Sequence, residues 1–186
     1  MDISLEEKKI LLNAARSSIA SIFTDSDLPT TDYKKYPLLE THAGAFVTLT
    51  VNKKLRGCIG YIISDQPVFE TVCDAAIQAA QNDPRFPPLS QKEFEKISIE
   101  ISILSPPFPL SCYGDIIIGT HGLILEEKGR RGLLLPQVPV EHKMDRDHYL
   151  DAICQKTGFP PGYWKDKQLK LSGFTATVFS EDSEKN

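Results

Sequence analysis

The sequence predicts an α+β fold in which antiparallel sheets carry flanking helices. Three patterns point to it. Ile97 to Leu104 alternates apolar and polar residues strictly, the mark of a strand with one buried face. Two pairs of β-rich runs are joined by short polar turns, one around Asn52-Lys53-Lys54 and one around Lys128-Gly129. Helical-period stripes of apolar residues precede and follow the first pair.

Residues 4–23 form the first predicted helix, opened by a Ser4/Glu7 capping box. Its apolar stripe runs through Leu5, Leu12, Ala15, Ile19, Ile22 and Phe23, interrupted by Lys8, whose stem can lie along the apolar edge. Residues 24–43 are polar, hold Pro29 and Pro37, and read as a loop. Ala45 to Val51 and Leu55 to Ile63 are the strands of a hairpin. Pro67 then starts a helix with Val68, Val72, Ala75, Ala76 and Ala79 on one side, with Ser64 and Asp65 as cap candidates. Asn82 to Leu89 holds three prolines and is a rigid connector, since proline forbids both a helix interior and a central strand.

The second half repeats this order. Gly122 to Leu125 and Arg131 to Leu135 form a hairpin, and a short helix follows, capped by Asp145 or Asp147 and stopped by Gly158. Leu169 to Phe179 is the final strand, and the tail from Ser180 is polar. Arg131-Gly132 falls where Arg56-Gly57 falls in the first half. The expectation is one domain over residues 1–186, built from a β-β-α-β duplication with halves at about 44–105 and 119–180. The halves would form two unequal sub-domains with a cleft between them.

A chain of 186 residues buries a core large enough to need neither disulfide nor structural metal. Net charge is −4, and no stretch concentrates lysine and arginine with aromatics, which argues against general nucleic-acid binding. A pocket for one small anion stays open. The cysteines Cys58, Cys73, Cys112 and Cys154 are far apart, without zinc-like or secreted-framework spacing, so reduced thiols and a cytoplasmic setting follow. No signal peptide begins the chain and no apolar run approaches the ~20 residues that span a membrane. Phosphate-loop, HExxH, nucleophile-elbow and dinucleotide signatures are absent.

The chemistry-bearing candidates centre on Leu55 to Gly60. Strand alternation puts Arg56, Cys58 and Gly60 on one face and Leu55, Gly57 and Ile59 on the other. A guanidinium beside a thiol favours the thiolate, which makes Cys58 a candidate nucleophile; a free cysteine is also at home as a small buried hydrophobe. Gly57 and Gly60 permit close approach of backbone or ligand. His121, in the turn Gly119-Thr120-His121-Gly122, is the candidate base, or a histidine bonding its own loop. Glu100 shares its strand face with Ser98 and Ser102, either a solvated face or the carboxylate of a site. Asp83 and Arg85 flank Pro84, and the connector reads first as structural, with Asp83 capping and Arg85 bonding carbonyls; the same rigid loop can instead hold Arg85 as an anion clamp. His42, His142 and His148 lie in polar contexts and read as surface residues.

Leu-Arg-Gly-Cys-Ile-Gly at 55–60, Asp-Pro-Arg-Phe-Pro-Pro at 83–88, Ser-Ile-Glu-Ile-Ser-Ile-Leu-Ser at 98–105 and Gly-Thr-His-Gly-Leu at 119–123 together resemble the AMMECR domain family. Leu135-Pro136-Gln137-Val138 resembles its further Leu-Pro-x-Val element. The resemblance covers nearly the whole chain. It implies an α+β fold of two unequal sub-domains with a cleft, and motif positions at Arg56, Gly57, Cys58, Gly60, Asp83, Arg85, Glu100 and His121. It implies no settled activity and no known cofactor. Prokaryotic members are associated with a Memo-like protein and a radical S-adenosylmethionine protein, which implies such partners and a shared modification pathway. Cys58, His121 and Glu100 are thus the candidate catalytic set, and Arg56, Gly57, Gly60, Asp83 and Arg85 the candidate contacts to a small anionic substrate. No metal ligand set is assigned. The alternative is a non-catalytic adaptor in which the 55–60 segment is structural.

Overall fold

A computed structural model describes residues 3–184. Helix α1 (Leu5–Ala20) begins at the expected capping box, with Ser4 and Glu7 bonded reciprocally. Its buried face keeps Leu12, Ala15 and Ile19 of the expected stripe but is not centred on it. Glu7, Leu11, Leu12, Ala14, Ala15, Ser18 and Ile19 are covered, while Leu5 is 75% exposed. Small residues let α1 approach α2 (Val68–Gln81) closely, so alanine and serine occupy a seam that a search for large apolar residues misses. Pro67 stands at the start of α2 without a side-chain cap, and Ser64 bonds Thr71 and the Gln66 N–H instead.

Strands β1 (Ala45–Val51) and β2 (Lys54–Tyr61) form the first hairpin. Its turn residues, Asn52 and Lys53, both have positive φ, the turn whose twist matches that of the strands. After α2 and the proline-rich connector come the one-turn helix α3 (Gln91–Phe94) and strand β3 (Ile97–Leu104). β3 pairs antiparallel with β1, and Ala45, Val47, Leu49, Ile97, Ile99, Ile101 and Ile103 turn one face of the sheet into the core. Helices α1 and α2 supply the other side of that core.

The chain then builds a second unit from short strand β4 (Phe108–Pro109), strands β5 (Gly122–Glu127) and β6 (Arg130–Leu134), helices α4 (Gln137–Glu141), α5 (Arg146–Lys156) and α6 (Tyr163–Asp166), and strand β7 (Leu171–Phe174). Asp145 caps α5 by accepting from the His148 N–H, and Gly158 follows it at φ +82°. The expected final strand over Leu169 to Phe179 is corrected: it divides at Thr175. β7 closes the second sheet, and β8 (Ala176–Ser180) joins the first. Thr175 and Ser105 exchange two hydrogen bonds there, one through the Ser105 hydroxyl, and that pairing breaks the run.

Residues up to Leu104 with those from Thr177 onward are one compact unit, and Ser105–Ala176 the other. Each has its own core, the second around Leu123, Leu125, Tyr149, Leu150 and Ile153. The sheets have orders β2-β1-β3-β8 and β6-β5-β7-β4, so each unit runs hairpin, helix, returning strand. Among the described residues no helix is long and apolar enough to cross a membrane.

Candidate functional site

Strand β2 lies at the edge of its sheet, and its register with β1 shifts between Leu49 and Thr50. Thr50 faces Leu55 and Leu49 faces Gly57, so Arg56 is the extra residue of a β-bulge. The bulge corrects the expectation that Arg56 shares a face with Cys58. Arg56 turns inward with Gly57 and is only 9% exposed. Its Nε donates to Glu93 Oε1 at 2.8 Å, and one terminal nitrogen reaches Glu93 Oε2 and the carbonyls of Pro87 and Pro88. The Phe86 ring lies 5.7 Å from its guanidinium. Arg56 therefore anchors the connector after α2. Its partner Glu93, held down to about 2 by Arg56 first and then by the Ser90 N–H and hydroxyl, was not foreseen, although Ser90 and Glu93 stand at capping-box spacing.

The glycines have packing reasons. A Cβ on Gly57 would sit 2.2 Å from the Ala79 carbonyl oxygen, so this glycine lets α2 lie against the hairpin. A Cβ on Gly60 would meet Ala45 O and the Phe46 ring, which lies across that position. Tyr61, next along, donates to Asp74 on α2, and that bond first, then burial, pushes its hydroxyl up to about 12.

Beyond the bulge, alternation resumes. Cys58 pairs with Thr48, and Thr48 pairs with Glu100 on its other side. These three residues form a row across β2, β1 and β3 on the sheet face opposite the core. Thr48 Oγ1 donates to Cys58 Sγ at 3.3 Å. The Cys58 N–H points out of the sheet edge to Asp83 Oδ2 at 2.8 Å. The same carboxylate takes the Arg85 guanidinium at 2.9 and 2.7 Å and the Arg85 N–H at 3.1 Å. Asp83 is 4% exposed, and these donors, Arg85 foremost, hold its carboxyl far below the ordinary carboxylate range. Arg85 in turn is raised, by Asp83 first and in part by the nearby Cys58 thiol. Its side chain remains 54% exposed.

Within the first unit the fold therefore brings together Cys58, Asp83 and Arg85, with Glu100 in the same row. A cavity of about 250 Å³ opens at the Thr48–Glu100 end of that row, away from Cys58, lined by Thr48, Thr50, Lys53, Ser98, Glu100 and Asp182 among others. Thr48 and Asp182 carried no sequence signal of their own. Thr48 reads as an ordinary outward strand residue until its register is known, and Asp182 sits in a polar tail. His121 belongs to the second unit. Its Nδ1 accepts from the Ile117 N–H at 3.3 Å within its own loop, and Phe108 packs edge-on against its ring at 5.3 Å. His42, His142 and His148 are exposed, as expected.

Of the other thiols, Cys73 and Cys154 are buried, and burial pushes both up in pKa; Cys112 is exposed. Among the described residues no group of three or more His, Cys, Asp or Glu is arranged to hold a metal.

The AMMECR1 family model matches residues 12–179. A protein of Methanocella arvoryzae is 38% identical over 96% of this chain and 93% of its own length, and one of Methanocaldococcus jannaschii is 38% identical over 96% and 92%. The crystal structure of an uncharacterised protein from Pyrococcus horikoshii aligns with a TM-score of 0.87 at 36% identity, covering 97% of this chain and 94% of that one. Motif, sequence and fold agree: the chain belongs to the AMMECR1 family.

Proposed function

We propose that the outward face of the first sheet binds a small anionic ligand, with Arg85 as the cation that holds it and Cys58 as the nucleophilic group beside it. The observation that carries this reading is the Asp83 carboxylate, which fixes the Cys58 backbone and the Arg85 guanidinium through one group. A half-exposed guanidinium clamped on one side still offers donors on the other, and its planar fork suits carboxylates and phosphates. Glu100 supplies the carboxylate of the row. Arg56 leaves the list of ligand contacts and becomes the anchor of the loop that carries Asp83 and Arg85.

The test uses a Cys112→Ser background, because Cys112 is exposed and reacts on its own account. Dilute iodoacetamide should modify Cys58 alone in the folded protein, read by intact mass, and the rate should fall several-fold in Arg85→Ala. Arg85→Lys, which keeps the charge but loses the fork, should retain most of the thiol reactivity and lose most of the inorganic-phosphate binding. If Cys58 reacts no faster than Cys73 or Cys154, or if Arg85→Ala changes neither labelling nor phosphate binding, the site is not this one. The 55–60 segment is then structural, as in an adaptor.

A further inference from the structure

We infer that the ligand of this face is a phosphorylated polyol of at least disaccharide length, bound with its anionic end at Arg85 and its hydroxyl-rich end beside Glu100. The inference rests on the proposed anion site and extends it across the sheet. Thr48 is the joint between the two ends: its hydroxyl bonds the Cys58 thiol and also lines the cavity that continues to Glu100.

The lining of that cavity differs in kind from the Arg85 end. Thr48, Thr50 and Ser98 bring hydroxyls, Glu100 and Asp182 bring carboxylates, and Lys53 brings one ammonium. Two carboxylates against one lysine disfavour a second phosphate. Carboxylates accept from ligand hydroxyls, serine and threonine both donate and accept, and lysine donates to ring or hydroxyl oxygens. That mixture matches a neutral polyhydroxyl group. At about 30 Å³ per water, a cavity of 250 Å³ holds about eight waters, the room of one sugar ring. Phe46, seated over Gly60 beside Cys58 on the same face, gives the row an apolar wall.

Length follows from the register. Cys58, Thr48 and Glu100 stand on three adjacent strands, and strands lie about 4.8 Å apart, so the row spans about 10 Å. Arg85 lies outside it, held by Asp83 at the sheet edge. A triose or hexose monophosphate reaches only one end. A disaccharide phosphate reaches both and must pass over the Cys58 thiol.

The experiment reads that passage. In the Cys112→Ser protein, Cys58 alkylation is timed with inorganic phosphate, glucose 6-phosphate, trehalose 6-phosphate or trehalose. At about ten times its Kd, trehalose 6-phosphate should slow alkylation about tenfold. Glu100→Gln should weaken that probe about tenfold relative to inorganic phosphate, since it removes one charged hydrogen-bond acceptor at the far end. Thr48→Val should act in the same direction. Equal protection by phosphate and trehalose 6-phosphate, unchanged in Glu100→Gln, overturns the two-ended ligand and leaves the anion site standing. Absence of protection by trehalose 6-phosphate also overturns it. Loss of phosphate binding in no Arg85 variant removes the anion site itself.

Discussion

Arg56 is 9% exposed and commits its guanidinium to Glu93 and to two proline carbonyls, whereas the Arg85 side chain is 54% exposed, hydrogen-bonded to Asp83 and 5.5 Å from the Phe86 ring. The first should matter to stability and the second to binding. Arg56→Met removes a charge-assisted pair and leaves the Pro87 and Pro88 carbonyls without their donor, so it should cost about 2–3 kcal/mol by urea unfolding. The pH dependence has a fixed sign. Glu93 sits at about 2 in the fold against an ordinary 4.5, so its contribution is fully present above pH 4.5 and is lost as pH falls toward 2. Stability measured between pH 5 and pH 3 should therefore decline, and the decline should be shallower in Arg56→Met. An unchanged slope would mean the pair contributes nothing.

At the scale of elements, the two hairpins differ by one residue. In the second, Arg131 faces Glu126 and Gly132 faces Leu125, with no shift. In the first, Gly57 faces Leu49 only because Arg56 bulges out of the ladder. Both glycines lie under a helix: a Cβ on Gly132 would meet Thr157, as one on Gly57 would meet Ala79. Gly57→Ala should thus cost about 1–3 kcal/mol through overpacking and should lower hydrogen-exchange protection in α2. Gly129→Ala, in open space at φ +73°, should cost about 1 kcal/mol from backbone strain alone and leave helix protection unchanged. Much of this level was legible in the chain. Turn residues, the capping box at Ser4 and the alternation of Ile97 to Leu104 each follow from local chemistry. The bulge was not legible, because a period of two carries no mark of an inserted residue, and it alone moved Arg56 away from Cys58. Cys58 and Glu100 could each be assigned an outward face from their own strands. That they share a row through Thr48 depends on register, which no single strand encodes.

At the scale of the molecule, the second unit interrupts the first, whose sheet is completed by β8 at the far end of the chain. Phe179 is buried in the first core, and Glu181 takes both Arg16 and the Ile99 N–H. Ending the chain after Ala176 should lower the stability of the first unit by about 3–5 kcal/mol, the range for losing one buried phenylalanine, and leave the core around Tyr149 intact by Trp164 fluorescence or hydrogen exchange. The bond from Cys58 N–H to Asp83 has a consequence at this scale as well. β2 is the outermost strand of its sheet, and an outermost strand with open N–H groups invites another chain to pair with it. Asp83 occupies that donor with a buried, fully bonded carboxylate in the middle of the strand. Asp83→Ala should therefore do more than loosen Arg85. It should leave a strand open to recruitment, and light scattering at rising protein concentration should show self-association that the parent chain resists.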